Sequence, residues 1–147
     1  MTTVKHTFLL REGIWKLEGD YTDLHNHICS LVGETRITHD SGRFISESEF
    51  ILQFDQPSLF YQKIEMPEIL INDLTIWKSM QLISGVMEGR AYILSDHIIF
   101  VYQSADGSFS GVENIVRIND VYYQNTGSLF RREERMASWK TEMLRIE

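Results

Sequence analysis

Glu88, Arg90 and Tyr92 alternate along a stretch that also carries Leu82 and Val86, so a strand there would set all of them on one face. Facing inward, an arginine beside a glutamate in an apolar setting suits a carboxylate, which it can hold through two parallel hydrogen bonds. Tyrosine and glutamate at the same place could do acid–base work on a substrate. Facing outward, the same residues form a surface pair of little energetic weight. Both assignments are open from the residues alone. Tyr102 and Tyr122 join Glu88, Arg90 and Tyr92 as the candidates for a catalytic role. Arg36 with Glu34, and Arg117 with Glu113, repeat the charge pattern and read as outward pairs.

Two further stretches look too polar for a packed interior. Ser46 and Ser48 lie between Phe44 and Phe50, and Tyr122, Gln124, Thr126, Ser128 and Phe130 share one face of a late segment. A buried polar group without a partner costs about 1–3 kcal/mol. Several on an interior face therefore imply mutual bonding, trapped water or a ligand; on the opposite face they are merely solvated. The candidate ligand-binding residues are accordingly Arg90, Tyr92, Tyr122, Gln124, Ser46, Ser48 and Phe50.

Other chemistries lack their parts. His25 and His27 could give two metal ligands, with His6, His39 and Asp23 as the nearby complements, but a site needs a third or fourth ligand and supporting hydrogen bonds. No metal is expected. A haem would require an axial histidine inside the fold, and His97, before an apolar strand, reads as a rim residue, so no cofactor is expected. Cys29 falls on an apolar face as a small buried hydrophobe. No Ser-His-Asp arrangement and no phosphate-binding glycine loop is present.

The chain that must position these residues has 147 residues, enough for one domain over 1–147 with a single core. Its formal charge of −7 argues against nucleic acid, which is gripped by clustered Lys and Arg. Arg131–Arg135 is the one basic cluster, and two glutamates interrupt it. The apolar run Phe8–Leu10 is too short for a signal-peptide core or a membrane span. A single cysteine precludes an internal disulfide and fits a reducing compartment, hence the cytoplasm. An assembly of several identical copies is compatible with all of this.

Period-two alternation dominates. Leu9, Arg11, Gly13, Trp15, Leu17, Gly19 and Tyr21 share a face opposite Glu12, Ile14, Lys16, Glu18 and Asp20. Alternation resumes at 28–38, 44–54, 59–66, 69–78, 80–94, 97–103, 109–118, 121–130 and 135–146, with turn signals such as Asp40-Ser41-Gly42 and Asp106-Gly107 between segments. Residues 133–146 also have helical propensity and spacing, but Ala137, Trp139, Thr141 and Met143 alternate cleanly, which favours a strand. About ten short antiparallel strands predict an all-β, up-and-down barrel of about eight to ten strands, since closure removes the exposed sheet edges.

Within that frame, Gly13-Ile14-Trp15 in the first strand resembles the Gly-x-Trp signature of the lipocalins and the wider calycin group, which includes fatty-acid-binding barrels. The resemblance implies a barrel whose end is closed by Gly13 and Trp15 beneath a ligand cavity, with a late arginine over the Trp. Arg131, Arg132 and Arg135 are the positions considered for it. The second lipocalin motif and the disulfide common in secreted members are absent, so a calycin-like barrel is the closer description. The expected function is binding of a small, partly apolar or amphipathic ligand in the barrel, a carboxylate being one class that Arg90 would suit. One alternative is an enzyme of isomerase, lyase or cyclase type using the same cavity. The other is a packed barrel acting as an interaction module, with an apolar patch around Tyr61, Trp77 or Trp139.

Overall fold

The computed structural model describes residues 6–67, 74–81 and 85–147, with the backbone alone over 74–81 and at 85. Among the described residues ten strands form one closed antiparallel ring: β1 (Gly13–Asp23), β2 (Ile28–Asp40), β3 (Arg43–Gln53), β4 (Ser58–Pro67), β5 (Leu74–Gln81), β6 (Gly85–Ile93), β7 (His97–Ser104), β8 (Phe109–Asn119), β9 (Tyr122–Arg131) and β10 (Glu134–Arg145). Each strand pairs with its sequence neighbour, and β1 closes the ring on β10. This is the up-and-down barrel that the alternation predicts, and 134–145 is a strand.

The turns explain the registers. Asp40 pairs with Arg43 across Ser41 and Gly42, whose φ values of 52° and 76° are those of the two-residue hairpin turn that matches strand twist. Residues 80–94 differ from the expectation of one long strand: Met80 and Gln81 end β5, and β6 begins at Gly85. The start of the chain differs as well. The Phe8–Glu12 stretch precedes β1, and Leu10 N–H donates to the Phe8 carbonyl at 2.8 Å around Leu9, whose φ is 70°. A buried non-glycine residue in that region is strained, and Leu9 is held there with 1% exposure.

Residues 6–9 pack across one end of the barrel. Trp15 is fully buried, and the rings of Phe8 and Tyr123 meet it edge-on at 5.5 and 5.3 Å. Trp15 thus sits in the closed end, and Arg131, Arg132 and Arg135, which the resemblance put over it, lie where β9 turns into β10 at the opposite end. The arginine directly across from Trp15 is Arg145. Its guanidinium donates to the carbonyls of Glu12 and Glu147. Gly19 belongs to the closing seam: a Cβ there would stand 1.9 Å from the Lys140 carbonyl oxygen and 2.7 Å from Thr141 Cα. Only glycine lets β1 approach β10 so closely, which is why the smallest and largest residues share one face of this strand.

His6 completes the closed end. Its Nε2 donates to the Leu94 carbonyl at 2.6 Å, and in the neutral ring with that tautomer Nδ1 accepts from the Tyr123 hydroxyl at 2.8 Å. Tyr123 Oη in turn accepts from Thr7 N–H at 3.1 Å. Burial, the largest influence, pushes His6 below its ordinary 6.5. A folded state that refuses a proton loses stability as pH falls through the range where the unfolded chain takes it up. Stability should therefore hold above pH 6.5 and decline below it, by at most about 1.4 kcal/mol per pH unit for this group. Urea titrations from pH 7.5 to 5 on the wild type and His6→Gln check this: the variant should lose that part of the slope.

Candidate functional site

Among the described residues, side chains of β1 to β4 and of β7 to β10 enclose a cavity of about 150 Å³. Its wall is largely apolar, with Phe50 stacked on Phe60 at 5.5 Å and an interplanar angle of 14°. Of the residues singled out in the sequence, Ser46, Ser48, Phe50 and Tyr102 line it. Ser48 exchanges a 2.7 Å hydrogen bond with Thr35 from the neighbouring strand, so this polar pair satisfies itself.

Five other candidates lie outside. Met87, Ala91 and Ile93 are fully buried on the inner face of β6, so alternation turns Glu88, Arg90 and Tyr92 outward, and Tyr92 is 37% exposed. Tyr123 is fully buried on β9, which turns Tyr122 and Gln124 outward likewise. There the Tyr122 hydroxyl donates to Glu142 at 2.8 Å and Gln124 Nε2 donates to Tyr122 Oη at 3.2 Å, an outer-surface network. The interior carboxylate clamp built on Arg90 is thus corrected. His25 and His27 lie in the exposed β1–β2 turn, both backbone N–H groups donating to Asp23 Oδ1. Among the described residues no three His, Cys, Asp or Glu converge as metal ligands. Cys29 is buried. Trp139 faces the cavity, Tyr61 donates to Glu47 at 2.9 Å, and the Trp77 side chain is outside the described residues.

The cavity's polar centre consists of residues that the sequence reading passed over or turned outward. Glu113 on β8, Asn125 on β9 and Trp139 and Thr141 on β10 all line it. Glu113 Oε1 accepts from Trp139 Nε1 at 2.9 Å and from Asn125 Nδ2 at 3.3 Å. The indole reaches β8 because it lies across Gly127, the residue opposite both Trp139 and Glu113. A Cβ at Gly127 would stand 2.5 Å from the indole carbons. Burial, only partly offset by these two donors, pushes the Glu113 carboxyl above its ordinary range. Burial, aided by the Glu113 charge, raises Tyr102 beyond the physiological range as well. Asn125 Oδ1 and Thr141 Oγ1, directly opposite each other in the β9–β10 register, are buried without hydrogen-bond partners among the described residues.

The register could have revealed Glu113. Phe100 belongs to the apolar face of β7 with Ile98 and Tyr102, and the Asp106-Gly107 turn sets Phe100 opposite Glu113. Residues directly opposite on antiparallel strands point to the same side.

No family model matches the chain, and no curated protein does. Among solved structures the chain is similar to the S-type phycobiliprotein lyase CPES from Guillardia theta, with a TM-score of 0.66 over 94% of this chain and 89% of that one, at 8% sequence identity. At that identity the likeness is one of fold, and it gives this chain a calycin-like barrel. No helix among the described residues is long and apolar enough to cross a membrane.

Proposed function

We propose that the barrel binds a small, partly apolar ligand in its interior, with Glu113, Asn125 and Thr141 meeting the ligand's polar end. The observation that carries this reading is the pair of unpartnered buried atoms, Asn125 Oδ1 and Thr141 Oγ1, in the wall of an otherwise apolar cavity. Each such atom costs about 1–3 kcal/mol if nothing bonds it, so a ligand that does so recovers that cost on binding. The volume suits one aromatic ring: an apolar cavity of about 150 Å³ accommodates benzene. Phe50, Phe60 and Trp139 offer aromatic surfaces for the apolar part.

Mass spectrometry of the purified protein, native against denaturing, tests the reading. A discrete mass lost on denaturation is expected, and the same spectrum counts subunits. A protein that carries no such mass, and that no single-ring compound stabilises against heat, would overturn it.

A second reading, an enzyme using this cavity, is favoured by the same carboxyl. Held above its ordinary range, Glu113 could act as an acid toward a bound substrate, and the structural neighbour is itself named a lyase. Turnover of the co-purified compound would select this reading.

A further inference from the structure

The cavity wall is chemically one-sided. None of the described residues lining it is Lys, Arg or His, so none of them can neutralise a bound anion. Both hydrogen bonds to Glu113 land on Oε1, which leaves Oε2 for an occupant. Asn125 spends one of its two amide N–H groups on that carboxyl, and its acceptor Oδ1 has no partner among the described residues. Thr141 adds a hydroxyl that can accept from a donor. With a carboxyl oxygen, an amide oxygen and a hydroxyl able to accept, and no cationic side chain among the described lining residues, the site favours an occupant that donates and carries positive charge.

Resting on the proposed ligand cavity, we infer that its occupant is a protonated nitrogen base on a body of about one ring, an amine or amidine rather than a carboxylate. A cation with two or three N–H donors can reach Glu113 Oε2, Asn125 Oδ1 and Thr141 Oγ1 together. It also allows the carboxyl to ionise inside the barrel. An isolated buried carboxylate is expensive, whereas one paired with a cation and bonded by two N–H groups is compensated. Any proton that Glu113 carries in the empty barrel goes to solvent, and the pair that forms has no net charge. A carboxylate ligand would meet the Glu113 carboxyl and the Asn125 carbonyl oxygen with no cation among the described lining residues to offset its charge. The other ionisable side chains in the described wall, Tyr21, Tyr61 and Tyr102, are phenols, which have no cationic form, and their raised pKa values keep them neutral.

Three probes of one size separate the readings: benzylamine, toluene and benzoate, each titrated calorimetrically into the wild type, Glu113→Gln and Thr141→Val. Benzylamine should bind the wild type at least tenfold more tightly than toluene, with benzoate weakest. Glu113→Gln should remove the advantage of benzylamine over toluene, and Thr141→Val should weaken benzylamine more than toluene. If toluene or benzoate matches benzylamine in the wild type, the cation inference fails while the cavity reading stands. An advantage of benzylamine that survives Glu113→Gln also overturns it. Should Glu113→Gln not fold, the wild-type ranking and Thr141→Val decide. If none of the three binds, the cavity reading falls and the inference falls with it.

Discussion

Replacing Trp15 with alanine should cost about 3–5 kcal/mol, the range for emptying a large aromatic site in a core. Natural domains hold only about 5–15 kcal/mol in reserve, so the variant should melt at least roughly 10 °C lower. The reason is position. Trp15 is wholly buried, with Phe8 and Tyr123 edge-on against it. The indole N–H, however, is buried without a partner among the described residues. Phenylalanine discards that unpaired donor while keeping a ring, so Trp15→Phe should cost only about 1–2 kcal/mol. Chemical denaturation of both variants checks this. Equal losses would mean that the closed end is held by something other than the ring.

Gly127→Ala should couple stability to binding. The added methyl would overlap the Trp139 indole at 2.5 Å, and the ring can escape only by lifting away from Glu113, to which it donates at 2.9 Å. Overpacking of this kind costs about 1–3 kcal/mol. A carboxyl deprived of one of its two donors adds to the loss. In a Trp139→Ala background the same methyl meets no ring, so its cost should fall below about 1 kcal/mol. Denaturant titrations of the four proteins in that cycle measure the difference, and ligand binding should weaken in Gly127→Ala. Additive costs would show that the indole does not rest on Gly127.

Much of the barrel was legible because alternation and turn chemistry are local. Trp15, Leu17 and Tyr21 on one side and Lys16 and Glu18 on the other leave little choice of face for β1. β10 was harder, yet Ala137, Trp139, Thr141 and Met143 alternate cleanly and do face inward. The site was less legible because its strands lack contrast between faces. On β6 the inward set includes Gly89 and Ala91, while Val86 and Tyr92 point out, so neither side stands out as apolar. On β8 the hydrophobics Val112 and Ile118 are exposed and Glu113 is inside. Such inversions are where binding chemistry is expected, since a folded interior tolerates a carboxyl only with partners in place. The Phe8–Glu12 stretch misled for another reason: its alternation continues that of β1, but positive φ at Leu9 turns the chain across the barrel's end.

The closing seam has a kinetic consequence. Every other pairing in the ring joins strands consecutive in sequence, and hairpins form in about 1–10 μs. β1 and β10 meet only after nearly the whole chain has been drawn into a loop, as the pairing of Asp23 with Ala137 requires. For a loop of roughly 100 residues the length-dependent entropy alone is about 4 kcal/mol. Closure should therefore come last in folding and be the slow step. Run backwards, opening that one seam bares two strand edges at once. The intermediate it creates is a curled sheet whose free edges can pair with those of a second molecule, so the close approach at Gly19 guards the barrel against self-association as well as completing it.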